Sequence, residues 1–406
     1  MSKGRPLREL LAEPIFRRIW LVGVFAGVAR WLELLVVGIF AFEVTASPFL
    51  VALLVILRML PLAVFGPLVG TLADRWPPRL FLLASLGLAT LTAVVLLALF
   101  VFGLAVYWHV ALASFLGGVV WTTDMPLRRR LLGDAAGLER LVPAMSLDSA
   151  SNNATRMLGP LVGGVLYQAL GSIGAFALIA GLSALCLLLI LGVPVGTSAA
   201  KPGPATRVLP EFREAFAFVA RDGEGDVLRI LLVTVVFNIW GFPFISMIPV
   251  IGQDELALEA GWIGGLAALE GGGSFLGALV IAVAGRGLNL RAVYYFGTMG
   301  FLALIFAAGW AGAAWPLAAL LFCVGLAGAG FTTMQSTLIY AVAPPDMRGR
   351  LFGLLVLCIG TGIIGFSNVG LMGEWFGGST ALRIIALEGL VPLLLIGIGW
   401  RKLWRG

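Results

Sequence analysis

Long apolar runs alternate with short polar breaks along the whole chain. Twelve such runs stand out, at roughly 16–43, 48–73, 80–103, 106–126, 141–168, 171–194, 228–250, 259–284, 290–312, 315–341, 349–373 and 378–400. An α-helix rises 1.5 Å per residue, so about 20 apolar residues cross the ~30 Å hydrocarbon core of a bilayer. The pattern therefore predicts an all-α polytopic membrane protein with twelve transmembrane helices, spans 1 to 12 in chain order. Between spans 6 and 7, Pro194, Pro202, Pro204 and Pro210 interrupt the hydropathy, and a mixed-charge amphipathic piece, Glu211–Asp226, follows. This divides the chain into a six-helix bundle at 1–194, a central loop at 195–227 and a second six-helix bundle at 228–406. The entry into span 11, Pro344-Pro345-Asp346-Met347-Arg348-Gly349-Arg350, echoes the entry into span 5, Arg140-Leu141-Val142-Pro143. The echo points to an internal repeat relating the two halves.

Basic residues fix the orientation. They sit at Arg5, Arg8, Arg17 and Arg18 before span 1, and at Arg75, Arg79, Arg128 to Arg130, Arg140, Lys201, Arg221, Arg286, Arg291, Arg348 and Arg350 in the even-numbered breaks. The odd breaks carry no Lys or Arg, and the one around Gln253–Glu259 is acidic. This is the positive-inside pattern of a chain with both termini cytoplasmic. With 60% hydrophobic and 12% charged residues, the net charge of +6 is orientation chemistry and not a nucleic-acid footprint. The basic leader runs straight into a full-length span, with no cleavable signal pattern. Cys186, Cys323 and Cys358 lie far apart inside spans and read as apolar structural thiols. His109, the single histidine, sits beside Trp108 at the outer end of span 4, an interfacial place.

Charges inside a bilayer are costly and mark function or fixed ion pairs. Depth counting at 1.5 Å per residue puts Arg30, Glu33, Arg58, Arg156 and Glu270 within a turn or two of the midplane, with Glu388 at similar depth and Asp148 nearer the cytoplasm. Arg30 and Glu33 share a helix face and can pair. A carboxylate buried in a cavity gains proton affinity and an adjacent arginine lowers it, so Glu33, Glu270 and Asp148 are the candidates for proton coupling. Glu270 has no basic neighbour in its own span. Arginine does not discharge its proton there. Arg30, Arg58 and Arg156 are accordingly expected to anchor substrate or to counter the glutamates, with Asn152, Asn238, Gln335 and Asn368 as neutral hydrogen-bonding partners.

Two motifs carry a resemblance. Gly70-Thr71-Leu72-Ala73-Asp74-Arg75, followed by Pro77, Pro78 and Arg79, resembles the loop 2–3 signature of the major facilitator superfamily. Gly66 and Gly70 would let a neighbouring helix approach, and Asp74 could cap another helix's N-terminus. In that architecture Asp346 and Arg348 fall near the same gate. Gly159-Pro160-Leu161-Val162-Gly163-Gly164 resembles the span 5 signature of the superfamily's exporters. The run from Ser146 to Pro160 is similar to the bacterial branch containing macrolide-type drug exporters and the enterobactin exporter, although Asp148 stands where relatives tend to have asparagine.

The resemblance implies a major facilitator fold in a bacterial inner membrane and proton-coupled efflux of an amphipathic or anionic molecule by alternating access. It also implies a monomer whose partners are the lipid bilayer, a small-molecule substrate and protons, with no cofactor or metal. A lysophospholipid or lipid flippase, or a metabolite uptake carrier, is the competing reading on the same fold. An ATP-driven pump would need a phosphate-cradling Gly-Lys-Ser/Thr loop, and Lys3, Lys201 and Lys402 lie in no such setting. A single histidine, with no His-Glu-x-x-His and no Gly-x-Ser-x-Gly, argues against an intramembrane hydrolase.

Overall fold

The computed structural model describes residues 6–75, 77–194, 208–221, 225–284, 289–344, 347–400 and 403. Two of the predicted breaks are tighter than the hydropathy suggests. Leu141–Leu191 is one run of helix divided only at Gly171, whose φ of 63° is backbone that glycine adopts without a Cβ clash, so spans 5 and 6 meet at a single residue. Span 4 does not stop at Pro126. It runs Tyr107–Ala136, because the three arginines after the proline are helix formers and Arg128 finds buried acidic partners.

The remaining spans fall close to expectation: span 1 Pro14–Thr45, span 2 Pro48–Arg75, span 3 Pro78–Val101, span 7 Asp226–Glu255, span 8 Ala260–Ala284, span 9 Leu290–Ala308, span 10 Ala314–Val342, span 11 Arg348–Phe376 and span 12 Gly378–Gly399. With spans 4, 5 and 6 they make twelve transmembrane helices in two six-helix bundles. Large apolar side chains such as Phe102, Val283 and Ile398 stay exposed on the outside, as lipid-facing residues do. Outside the bilayer spans, Pro6–Ala12 forms a short helix before span 1. Within the central loop, Val208–Arg221 is helical, buries Ala215 and Val219, and pairs Glu214 with Arg350 of span 11 at 2.7 Å.

Two spans are irregular at membrane depth. Span 7 passes through a π-helical turn at Phe237–Gly241 and a 3₁₀ turn at Phe242–Ser246, with Pro243 removing a backbone donor. Span 11 is interrupted at Thr361, between Arg348–Gly360 and Gly362–Phe376. Irregular backbone is tolerated inside a membrane where it is packed in protein or lines a cavity. Both segments border the cavity described below.

Two glycine seams join the bundles. In the first, spans 5 and 8 cross so closely that a Cβ on Gly164 would stand 2.5 Å from the Ala260 carbonyl oxygen and 2.8 Å from the Gly264 Cα. In the second, Gly370 and Gly373 of span 11 pack on Phe49 and Pro48 at the start of span 2. Both seams lie towards the span ends distant from the chain termini, and hydrogen bonds reinforce them there. Ser47 Oγ donates to Glu374 Oε2 at 2.7 Å, Gly261 N donates to Gln168 Oε1 at 3.0 Å, and Gln253 Nε2 donates to the Ile39 carbonyl at 3.2 Å.

Candidate functional site

On the other side of these seams the halves part around a cavity of about 500 Å³. Its walls come from spans 2, 4, 5, 7, 8, 9, 10 and 11. They are mostly apolar, with Met59, Trp121, Met125, Phe237, Phe242, Phe301 and Phe331 prominent. Phe237 stacks on Phe331 with ring centroids 3.6 Å apart. Met59 and Leu62 lie about the middle of span 2, Gly328 at the middle of span 10, and Thr332 and Gln335 in the second half of span 10. The cavity thus reaches from the midplane towards the side on which the termini lie.

One ion pair stands in this wall. Arg156 Nη2 of span 5 lies 2.6 Å from Glu270 Oε1 of span 8, so the two charges join the halves. Glu270 is 3% exposed, and Arg156 also faces the Trp31 ring at 5.3 Å. A buried carboxylate needs such a partner, because an unpaired ion at this depth costs several kcal/mol. The expectation that Glu270 lacks a basic neighbour holds within its own span, and the structure supplies one from the opposite half.

The other midplane charges are arranged differently from the sequence expectation. Arg30 and Glu33 share a helix face but do not pair. Arg30 Nη2 binds Asp124 Oδ2 of span 4 at 2.9 Å, and Glu33 Oε2 accepts from Arg58 Nη2 of span 2 at 3.1 Å. Each side chain reaches the neighbouring span more readily than it folds along its own helix. Asp148 binds Arg128 and Arg129, the latter at 3.0 Å, and Arg128 lies 3.7 Å from Asp124. Arg30, Asp124, Arg128 and Asp148 therefore form one chain of charges inside the first bundle. It borders a separate chamber of about 70 Å³, also lined by Glu33, Arg58, Ser183 and Cys186.

This arrangement places several of the expected site residues away from the central cavity. Arg30 and Arg58 are neutralised within the first bundle and do not line the central cavity, and Asp148 is bound by two arginines. Asn368 donates to Glu388 Oε2 at 2.7 Å, where Trp240 Nε1 also donates at 3.0 Å, and neither Asn368 nor Asn152 is among the cavity-lining residues. Asn238 and Gln335 do line it. Asn238 donates back to the Thr234 carbonyl at 2.9 Å, which fixes its amide, while Gln335 Nε2 is buried without a hydrogen-bond partner.

Gly159, Pro160, Gly163 and Gly164 act in packing. The first and third hold span 5 against Trp31 and Leu32 of span 1, and the last meets span 8. Of the expected gate, Arg79 donates to the Leu191 carbonyl at 2.9 Å, and Arg348 lies 4.0 Å over the Tyr340 ring. The side chains of Gly70, Asp74 and Arg75, and residue Asp346, lie outside the described residues. His109 Nδ1 accepts from Val106 N at 3.3 Å and caps span 4, an interfacial structural role. The sequence singled out neither Asp124 nor Trp121 as a site residue, and Arg128 only as an orientation charge. The i, i+4 spacing of Asp124 and Arg128 was a signal for that pair, hidden because the apolar run ends between them.

Comparison with known proteins agrees with this architecture. The family model described as Major Facilitator Superfamily matches residues 19–396. A Bacillus subtilis (strain 168) protein, described as the uncharacterized MFS-type transporter YfiS, is 27% identical over 390 residues, covering 91% of this chain and 90% of the relative. Among solved structures, a bacterial homologue of the human lysosomal transporter Spinster, in an inward-facing and unoccupied conformation, superposes with a TM-score of 0.74 at 15% identity, covering 100% of this chain and 99% of that one. The nucleoside transporter NupG gives a TM-score of 0.74 at 16% identity, covering 95% and 99%. The peptide transporter POT in complex with sulfate gives 0.74 at 13% identity, covering 98% of each. At these identities the solved structures speak for the fold alone. With its twelve spans, its inter-bundle cavity and a family match over nearly its whole length, this chain belongs to the Major Facilitator Superfamily and is a membrane transporter, not an enzyme.

Proposed function

We propose that the protein is a proton-coupled exporter of small amphipathic molecules that works by alternating access. Residues 1–194 rock against 228–406, with 195–227 as the link. The observation that carries this reading is the central cavity with its single charged pair. An apolar, aromatic wall takes the body of a lipophilic molecule, while Arg156, Glu270 and the lining Gln335 take one polar or charged group. Two of the three midplane arginines are already neutralised by carboxylates away from the cavity. A multiply anionic siderophore would therefore meet one arginine where it needs several, which favours the drug-like side of the exporter branch. With the termini cytoplasmic, the described state is inward-facing, and substrate would enter from the cytoplasm or the inner leaflet. Proton coupling follows if Glu270 trades Arg156 for a proton when the halves separate.

Proteoliposomes offered lipophilic cations, siderophore-like acids and lysophospholipids test this reading. The expected result is substrate-linked proton movement for at least one lipophilic cation, abolished by Glu270→Gln. Lysophospholipid movement without proton flux, unaltered by that variant, would replace the exporter with a flippase.

A further inference from the structure

Glu388 places a carboxylate at the middle of span 12, on the face turned to lipid. The residue is exposed, and so are Leu387 and Val391 near it. Glu33, Asp124, Asp148 and Glu270 each meet an arginine, whereas Glu388 is held by two neutral donors. Its Oε2 accepts from Trp240 Nε1 of span 7 at 3.0 Å and from Asn368 Nδ2 of span 11 at 2.7 Å. A charge at this depth is unfavourable, and two charge-assisted hydrogen bonds on one oxygen are a specific use for it.

The two donors hold the wall of the central cavity from behind. Trp240 belongs to the π-helical turn Phe237–Gly241. Phe237 and Asn238 of the same turn, and Phe242 just after it, line the cavity, while Trp240 reaches the carboxylate on the outside of the bundle. A π turn departs from the ordinary helical ladder, so its place depends on what packs against it. Two glycines let spans 11 and 12 close on it. A Cβ on Gly365 would overlap the Ile239 carbonyl, and one on Gly389 would stand 2.6 Å from the Trp240 Cβ. Glu388 is next to Gly389 on span 12, and Asn368 is one turn beyond Gly365 on span 11. The carboxylate therefore ties both supporting spans to the turn where they touch it.

We propose that Glu388 is a positioning residue for the central cavity. Acting through Trp240 and Asn368 from the lipid side, it sets how far Phe237 and Asn238 stand into the cavity, and so the width of lipophilic molecule that the cavity admits. It touches no substrate itself. This role presupposes that the central cavity is the substrate's.

Thiol labelling reads the wall without a transported substrate. Cys186, Cys323 and Cys358 are replaced by alanine, and Thr332→Cys puts one thiol in the cavity beside Phe331, the ring on which Phe237 stacks. Labelling rates for a small and a bulky methanethiosulfonate give a ratio. Glu388→Leu, which suits a lipid face but accepts no hydrogen bond, should shift that ratio about fivefold, the scale of one lost hydrogen bond. Glu388→Gln keeps an acceptor oxygen and should stay near wild type. Trp240→Phe, which removes the donor and keeps an aromatic ring, should shift the ratio in the same direction, and combining it with Glu388→Leu should add little. Deuterium uptake over residues 237–246 should rise in Glu388→Leu and return to the wild-type level in Glu388→Gln. The proposal is overturned if Glu388→Leu lowers the melting temperature yet leaves ratio and uptake unchanged, because the cluster would then be packing alone. It is equally overturned if Trp240→Phe leaves the ratio at the wild-type value. Wild type that moves no lipophilic cation, with the labelling shift intact, would count against the exporter reading alone.

Discussion

Arg156 Nη2 and Glu270 Oε1 stand 2.6 Å apart, and their two spans belong to opposite halves of the molecule. The pair is asymmetric. Glu270 is nearly sealed from water, whereas Arg156 keeps 15% side-chain exposure and a second stabilising contact with the Trp31 ring. Removing the arginine strands a buried carboxylate. Neutralising the glutamate leaves an arginine with somewhere to go.

Arg156→Ala should therefore destabilise the detergent-solubilised protein by about 3 kcal/mol, and Glu270→Gln by roughly 1 kcal/mol. Both should lower coupled transport at least tenfold. Arg156→Ala combined with Glu270→Ala should recover part of the stability and none of the transport. Thermal unfolding followed alongside flux checks this, and equal melting temperatures for the two single variants would count against the asymmetry.

On the opposite face, Glu374 Oε2 accepts from Ser47 Oγ at 2.7 Å and from Phe49 N at 3.3 Å, placing a carboxylate at the first turn of span 2. A helix N-terminus stabilises an anion by up to about 1 kcal/mol at an exposed site. Glu374→Gln should weaken this closure and raise the outward-open population about fivefold. Spin-label distances between the outer ends of spans 2 and 11 should show a longer component that wild type lacks.

How much of this was legible in the sequence depends on whether a feature is local. Apolar run length gave the twelve spans, because crossing a bilayer is a property of one helix at a time. The small residues at Gly159, Gly163 and Gly164 announced close packing for the same reason, and Glu270 was singled out because a charge at that depth needs an account. The partner assignments were not legible. Whether Arg30 meets Glu33, three residues along its own helix, or Asp124 on span 4 depends on how spans 1, 2 and 4 are rotated against one another, and no periodicity in one helix encodes that. Span 4 was cut short at Pro126 because its inner turns are polar, yet their charges are satisfied by Arg30 and Asp148 from other spans. Asn368, expected as a neutral hydrogen-bonding partner for substrate, donates to Glu388 on the neighbouring span.

At the ends near the termini, Asp226 holds the second bundle together. It is 2% exposed, with Oδ2 accepting from Arg291 Nη2 and Oδ1 from Trp400 Nε1, each at 2.8 Å, so spans 7, 9 and 12 meet on one carboxylate. Asp226→Ala should cost about 2–3 kcal/mol, most of it from the stranded donors, with Asp226→Asn intermediate. This carboxylate is far from the cavity, so surviving folded protein should retain its substrate selectivity. A melting temperature unchanged by Asp226→Ala would sink this reading.

The tighter of the two seams between the bundles makes the sharpest demand on conformation. A Cβ on Gly264 would stand 2.5 Å from the Pro160 carbonyl oxygen and 2.8 Å from the Gly164 Cα, and neither backbone can yield without moving its helix. Small residues at such crossings are what permit helices to approach in a membrane. Gly264→Val therefore cannot be absorbed by a rotamer change, and spans 5 and 8 must separate at the outer side. The protein has a state in which they do, if alternating access holds, so the substitution should favour the outward-open form and need not unfold the chain. Labels on the outer ends of spans 5 and 8 should move apart in Gly264→Val, and thiol reagents added from the outside should reach cavity-lining positions such as Met125→Cys faster than in wild type. Loss of folded protein with no outward-open component would instead show that the seam is structural in every state, and the halves would then have to move about some other contact.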